Sequence, residues 1–180
     1  VETANQAIDR IDELRLNGFP HDHVQLVCDT VVRLRPDIIC EWGTNAGNSA
    51  RLLYEASTLS PCPVHSIENA DQGTPPLLEG LDITLHHGNG LTITMALTHG
   101  KERPLILIDD HHVYQDTYDN LVALRERRKH AVILIHDAGA GISEASTAVR
   151  NYLKHCGGYD MREAPSEHGL VRLWPQSTST

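Results

Sequence analysis

The sequence predicts a doubly wound α/β fold on a mostly parallel, seven-stranded sheet, with an antiparallel strand near the C-terminus and two helices at the N-terminus. Three observations carry this. Short apolar runs alternate with amphipathic segments from residue 38 onward, the rhythm of strands joined by helices. Leu105-Ile106-Leu107-Ile108 is apolar throughout, as in a central strand covered on both faces. Polar clusters follow five successive strands, at Glu41, Glu68, Gly88-Asn89-Gly90, Asp109-Asp110 and His136-Asp137. Ligands of open parallel sheets bind at such carboxyl ends, near the switch in strand order.

Residues 3–17 read as a helix stopped by Gly18. A second helix spans 22–35, with Val24, Val27, Val31 and Leu34 on one stripe and Pro36 beyond its end. A buried strand at 38–40 leads through a glycine turn to a helix at 47–58. Strand 63–67 is followed by a loop over 70–80, which carries Gly73, Pro75 and Pro76 and has room for one helical turn. Strand 83–85, a helix at 91–99, strand 105–108 and a charged amphipathic helix at 114–128 come next. Strand 131–135, a helix at 143–155 broken by Gly157-Gly158, and two short strands at 159–163 and 169–174 complete the pattern. The chain reads as a single domain, with helices over 1–35, a core over 36–174 and a frayed tail over 175–180. The first two helices are expected either to shield a ligand or to support a homodimer.

With 180 residues the chain can bury a core without staples. Its 15 Lys and Arg stand against 24 Asp and Glu, a formal net charge of -9, which repels phosphate backbones and anionic lipid and argues against nucleic-acid contact. No apolar run approaches the length of a membrane span. Cys28, Cys40, Cys62 and Cys156 show no zinc-knuckle or redox spacing. Cys28 and Cys40 read as core thiols, and a reducing, cytoplasmic setting is expected.

The segment Glu41-Trp42-Gly43-Thr44-Asn45-Ala46-Gly47-Asn48-Ser49 has the spacing E-x-G-x-x-x-G-x-S. Its glycines allow a tight turn and close backbone approach to a ligand, before a helix start with free N–H groups. A dinucleotide site would prefer G-x-G-x-x-G; a plain glycine turn is the alternative. Glu68, with Asn69 beside it, closes the second strand, where a carboxylate can accept two ribose hydroxyls or simply face solvent. Asp109-Asp110-His111-His112-Val113-Tyr114 is the most restrictive cluster. Carboxylates from adjacent strand ends, Asp109 and Asp137, can converge on one hard cation. His136 would be a third ligand, or would orient Asp137.

Together these motifs resemble the class I S-adenosylmethionine-dependent methyltransferases, and among them the metal-dependent small-molecule O-methyltransferases of the methyltransferase-24 and cephalosporin-hydroxylase-like group. The resemblance covers about residues 36–174. It includes the D-G-x-H-x-Y pattern of the fourth strand, from which the chain departs only at Asp110, and the His-Asp end of the fifth. It implies a Rossmann-like methyltransferase fold, with S-adenosylmethionine and a divalent metal (magnesium or manganese) as cofactors and a small hydroxylated acceptor as partner. Glu41, Gly43, Asn45, Gly47 and Ser49 would line the methionine and ribose side of the cofactor. Glu68 and Asn69 would hold the ribose, and Gly88, Asn89 and Gly90 would pass beside the adenine. Asp109 and Asp137 would hold the metal, with His136 or Asp110 as third ligand. His112 would be the general base, with Asp109 the second catalytic residue. The rivals are an NAD-dependent oxidoreductase, a non-catalytic adenosylmethionine-binding domain and a metal hydrolase. His21-Asp22-His23 reads as a surface helix start in preference to a metal site, His86-His87 as part core and part cleft, and 125–129 as the solvated end of a helix.

Overall fold

The computed structural model describes residues 2–71, 73–110, 113–139, 143–166 and 168–176. Helices α1 (Ala4–Glu13) and α2 (His21–Leu34) lead into β1 (Ile38–Trp42), α3 (Asn48–Ser57) and β2 (Val64–Glu68). A single 3-10 turn, Pro76–Leu78, precedes β3 (Ile83–His87), α4 (Gly90–Leu97), β4 (Pro104–Ile108) and α5 (Tyr114–Arg127). The chain ends through β5 (Val132–His136), α6 (Glu144–His155), β6 (Tyr159–Ala164) and β7 (Leu170–Pro175). The strands form one sheet in the order β3-β2-β1-β4-β5-β7-β6. Pairing is parallel from β3 across to β5. Among the described strands only β7 runs against its neighbours, β5 on one side and β6 on the other. Strand order reverses between β1 and β4, so the crevice at the switch lies beyond Trp42 and Ile108.

The central strands β1, β4 and β5 are buried at every position, because helices cover both faces. Ile39, Leu105, Leu107, Val132 and Leu134 pack against α1, α2 and α3 through Ile11, Val27, Val31, Leu52 and Leu53. On the other face Trp42, Ile106, Ile108, Ile133 and Ile135 meet Leu121 and Leu124 of α5 and Ala145, Val149 and Tyr152 of α6. Alternation along each strand therefore assigns every second side chain to one layer. Helices α1 and α2 are part of the first layer, so the expected boundary at residue 36 does not divide the core. Cys28 and Cys40 are buried and all four thiols are free.

Local chemistry sets most helix ends. Thr3 and Gln6 form a capping box at α1, Asn89 caps α4 and Ser143 caps α6, each satisfying an orphan N–H. The expected helix over 3–17 is shorter. It ends at Glu13, and Arg15 takes a left-handed φ of 51°. The turn lets Leu16 and Phe19 reach the core, where both are buried, while Leu14 stays exposed at 38%. Burial of two large side chains outweighs four more residues of helix. Near the C-terminus, Pro175 still pairs with Tyr159 in the sheet, so the ordered edge extends past the expected start of the tail; residues 177–180 lie outside the described residues. The stretch 125–129 is less solvated than its charge suggests. Arg128 Nε donates to Thr98 Oγ1 at 2.6 Å and its terminal nitrogen to the Met95 carbonyl, tying α5 to α4. Arg125 stands 5.3 Å from the centre of the Tyr159 ring.

The end of α1 makes a testable distinction. Leu16→Ala should lower unfolding free energy by about 2–5 kcal/mol, the range for a buried leucine, whereas Leu14→Ala should stay within about 0.5 kcal/mol. Equal effects in urea unfolding would mean that the helix does not end where it is described.

Candidate functional site

Three strand ends are fastened together at the crevice. Gly43 N–H donates to the Ile67 carbonyl at 2.9 Å, and Asp109 N–H to the Trp42 carbonyl at 3.0 Å. Gly43 has φ 92°, and a Cβ there would collide with the carbonyl of Asp109. The glycine expected to admit a ligand therefore first admits the backbone leaving β4. Gly47, at φ 87°, is the residue before α3, and a Cβ on it would lie 2.9 Å from Leu78 Cγ. Gly90 is pressed on the Trp42 ring, with a Cβ position 2.7 Å from Trp42 Cγ. The Trp42 indole in turn donates to Thr94 Oγ1 at 2.7 Å.

Glu41, on the α3 side of β1, is completely buried. The Ser66 hydroxyl bonds one of its oxygens, and Thr44 Oγ1 lies 2.6 Å from Ser66 Oγ. Burial pushes this carboxyl up to about 8, against hydrogen bonds from Ser49 and Ser66 that lower it; the charges of Asp109 and Glu68 raise it further. Ser49 is buried in the first turn of α3.

Glu68 closes β2 and holds the neighbouring loops. Its Oε2 accepts from Asn45 N–H at 3.0 Å and its Oε1 from Asn69 N–H at 2.9 Å. Asn45 has a left-handed φ of 41°, which brings its N–H onto the carboxylate. Each carboxylate oxygen keeps acceptor capacity for a further donor. Gly88 N–H donates to the Glu68 carbonyl at 2.9 Å, so the β3 exit follows the same rim. Asn89 spends its side chain on the N–H of Thr92, at 2.9 Å. Next to these lies a cavity of about 240 Å³ bounded by Trp42, Asn69, Asn89, Asp110, Asp116 and Asp119. That is below the size of most ligand pockets. Asp116 and Asp119 of α5 carry no sequence signal for this place; helical spacing alone does not say which face meets the crevice.

Asp109 and Asp137 are brought together through His136. The imidazole Nδ1 lies 3.1 Å from Asp109 Oδ1 and 3.4 Å from Asp137 Oδ1. Its Nε2 is 2.9 Å from the Gly18 carbonyl, a pure acceptor, so Nε2 carries the hydrogen and Nδ1 faces the acids. Burial lowers the His136 pKa, but the hydrogen bond and charge of Asp109, with Gly18 and Asp137, more than offset it and leave it raised. Phe19 covers the ring, with centroids 4.7 Å apart. The sequence marks Gly18 only as a helix stop and gives no sign of Phe19, because their contact with His136 spans more than a hundred residues. Asp137 itself has φ 54°, and the Ser143 hydroxyl holds its carbonyl.

Among the described residues no three or more His, Cys, Asp or Glu side chains already surround one point as ligands of an ion would. The two contacts of His136 Nδ1, at 3.1 and 3.4 Å, are those of an imidazole paired with carboxylates. His112, the expected base, lies outside the described residues, as does His111. At the start of α5, Tyr114 N–H donates to Glu144 Oε2 at 2.9 Å.

The remaining polar clusters have structural partners. His21 Nδ1 is 2.5 Å from Asp12, and His23, which is buried rather than at the surface, is 3.0 Å from the Ser166 carbonyl. His86 Nε2 meets His65 Nδ1 at 3.0 Å. A cavity of about 780 Å³ is lined by Arg103, Arg125, Lys129 and Trp174 at the amino end of the parallel strands. The chemistry-bearing side chains lie at the opposite end, where sheets of this kind bind ligands.

No protein-family model and no curated protein matches the sequence. The fold matches solved structures along nearly the whole chain. The Podospora anserina methyltransferase PaMTH1, bound to SAH, superposes with a TM-score of 0.63 at 15% identity, over 98% of this chain and 89% of that one. The O-methyltransferase TomG from Streptomyces achromogenes, involved in tomaymycin synthesis and solved with SAM, gives 0.63 at 16% identity over 98% and 91%. The O-methyltransferase from Bacillus cereus, in complex with SAH, gives 0.62 at 13% identity over 96% and 90%. The chain thus has the Rossmann-like fold of these methyltransferases, as its motifs led us to expect.

Proposed function

We propose that the protein is an S-adenosylmethionine-dependent O-methyltransferase acting on a hydroxyl of a small molecule, assisted by a divalent metal and a histidine base. The observation that carries this reading is the arrangement at the switch point. Glu41, the Gly43–Gly47 turn, Glu68 and Asp109 stand side by side at the ends of β1, β2 and β4, in a fold shared with proteins that are methyltransferases.

In this reading each residue has a physical task. Glu68 accepts the two ribose hydroxyls with the acceptor capacity left beside Asn45 and Asn69. The turn through Asn45 and Gly47 and the buried Ser49 face the methionine portion of the methyl donor. Asn69, Asn89 and Gly90 bound the compartment for its base. Asp109 and Asp137 supply two carboxylates, which suit magnesium or manganese, with His136 or Asp110 as the third ligand. A bound divalent ion would lower the pKa of an acceptor hydroxyl and orient it. His112, three residues beyond Asp109, takes the acceptor proton. The acceptor oxygen then forms a bond to the methyl carbon as the carbon–sulfur bond breaks, and the electron pair leaves on the thioether sulfur. The donor is already activated as a sulfonium, so alignment of the two substrates is the protein's main contribution.

Three outcomes are expected. Calorimetry should detect binding of S-adenosylmethionine, and Glu68→Ala should weaken it by about 1.5–3 kcal/mol, the range for hydrogen bonds to a charged group; unchanged affinity removes Glu68 from the site. Chelation should abolish methyl transfer, and magnesium or manganese should restore it, because the oxygen ligands of Asp109 and Asp137 favour hard cations. Full activity after chelation, with elemental analysis showing no residual metal, defeats the metal assignment. His112→Ala should lower kcat by about 10²–10⁴ with little change in donor affinity, while His111→Ala is tolerated. The reverse pattern would shift the base by one residue, and normal kcat in both variants would remove a histidine base altogether.

A further inference from the structure

Glu41 is the one acid of the crevice with no exposure to water. One of its oxygens is bonded by the Ser66 hydroxyl. The other, Oε1, is buried and makes no hydrogen bond of ordinary geometry, although the Ser49 hydroxyl also acts on the carboxyl. A carboxylate charge left in that state costs several kcal/mol or more, so such a group neutralises by keeping its proton. Among the described residues no cation acts on it. The groups acting on it are the hydroxyls of Ser49 on α3 and Ser66 on β2 and the carboxylates of Asp109 after β4 and Glu68 on β2. The guanidinium of Arg51, further along α3, is engaged by Glu55 and the Leu77 carbonyl. Two neighbouring anions favour the neutral form still more.

An uncharged acid here is a poor structural element. A buried Gln would fill the same space, and packing alone gives no reason for a carboxyl among carboxylates. Its value changes when a positive charge enters the crevice. S-adenosylmethionine carries two positive centres, an ammonium and a sulfonium, and on the reading proposed above it occupies the turn that follows Glu41.

We propose that Glu41 keeps its proton in the ligand-free protein and releases it to solvent when the cationic methyl donor binds, so that the carboxylate formed faces the donor's positive charge. This inference rests on the cofactor reading and goes beyond it, since a site that merely contacts the donor need not exchange a proton. The step is balanced: the carboxyl O–H bond breaks, the proton passes to water, and the carboxylate retains the electron pair and the hydrogen bond with Ser66. Ser66 Oγ and Thr44 Oγ1, 2.6 Å apart, connect Glu41 to the Gly43–Gly47 turn. The sign of the linkage is fixed. A group that is protonated when free and ionised when bound makes affinity rise with pH up to its free-state pKa, about 8, and level off above it.

The test is calorimetry of S-adenosylmethionine binding near pH 7 in buffers of different ionisation enthalpy. The dependence of the observed heat on buffer should report release of about one proton, and affinity should rise about tenfold per pH unit below the plateau. Glu41→Gln should still bind the donor and lose both dependences. Because that variant could fold poorly, difference infrared spectroscopy of the unmodified protein provides a second measurement. Donor binding should remove a protonated-carboxyl band. Binding heat without buffer dependence, the same dependence in Glu41→Gln, or no lost carboxyl band overturns the proposal while leaving the cofactor reading intact. Absence of any binding heat removes the cofactor reading and this inference with it.

Discussion

Gly43 has no side chain, and the carbonyl of Asp109 fills the place where a Cβ would stand. This contact is the constraint on which the crevice depends. It sets how closely the exits of β1 and β4 run together at the point where strand order reverses. The bonds from Gly43 to Ile67 and from Asp109 to Trp42 complete a brace across β2, β1 and β4. Glu68, Glu41 and Asp109 ride on these strands, so their separation is inherited from backbone geometry rather than negotiated by side chains. Rigid strand ends of this kind hold site residues more exactly than a loop could.

The brace also explains the electrostatics. Parallel strands covered on both faces leave little water near β1, so burial pushes the Glu41 carboxyl up, while Glu68 on the rim keeps two backbone N–H donors. Similar side chains one strand apart thereby meet different surroundings. His136 shows the same dependence on surroundings. Its Nε2 is committed by the Gly18 carbonyl and its face by Phe19, which leaves Nδ1 to the two aspartates. The turn between α1 and α2 is thus part of the crevice wall as well as of the core.

The glycines mark the boundary of what residue types can tell. Gly43, Gly47 and Gly90 stand where the spacing suggested close approach, but the approaching atoms are Asp109, Leu78 and Trp42. A glycine announces that a Cβ is unwelcome and says nothing of what occupies the space. His23 was read as a surface residue and is buried against the Ser166 carbonyl. Its partner comes from the far end of the chain, beyond the range of any local pattern.

Taken alone, the amino-acid sequence determined the order and type of the elements and the positions of the polar clusters at the ends of β1 to β5. Those properties follow from apolar periodicity, turn residues and caps, which act over a few neighbouring residues. Tertiary structure alone decided that α1 stops at Glu13 so that Leu16 and Phe19 can be buried. It decided as well that β7 inserts between β5 and β6, that Asp116 and Asp119 border the cavity beside Asn69, and that Glu41 loses all contact with water. Each of these outcomes depends on which surfaces meet once the sheet has closed between its helices. Burial and desolvation belong to the assembled layers, and no short stretch of chain encodes them.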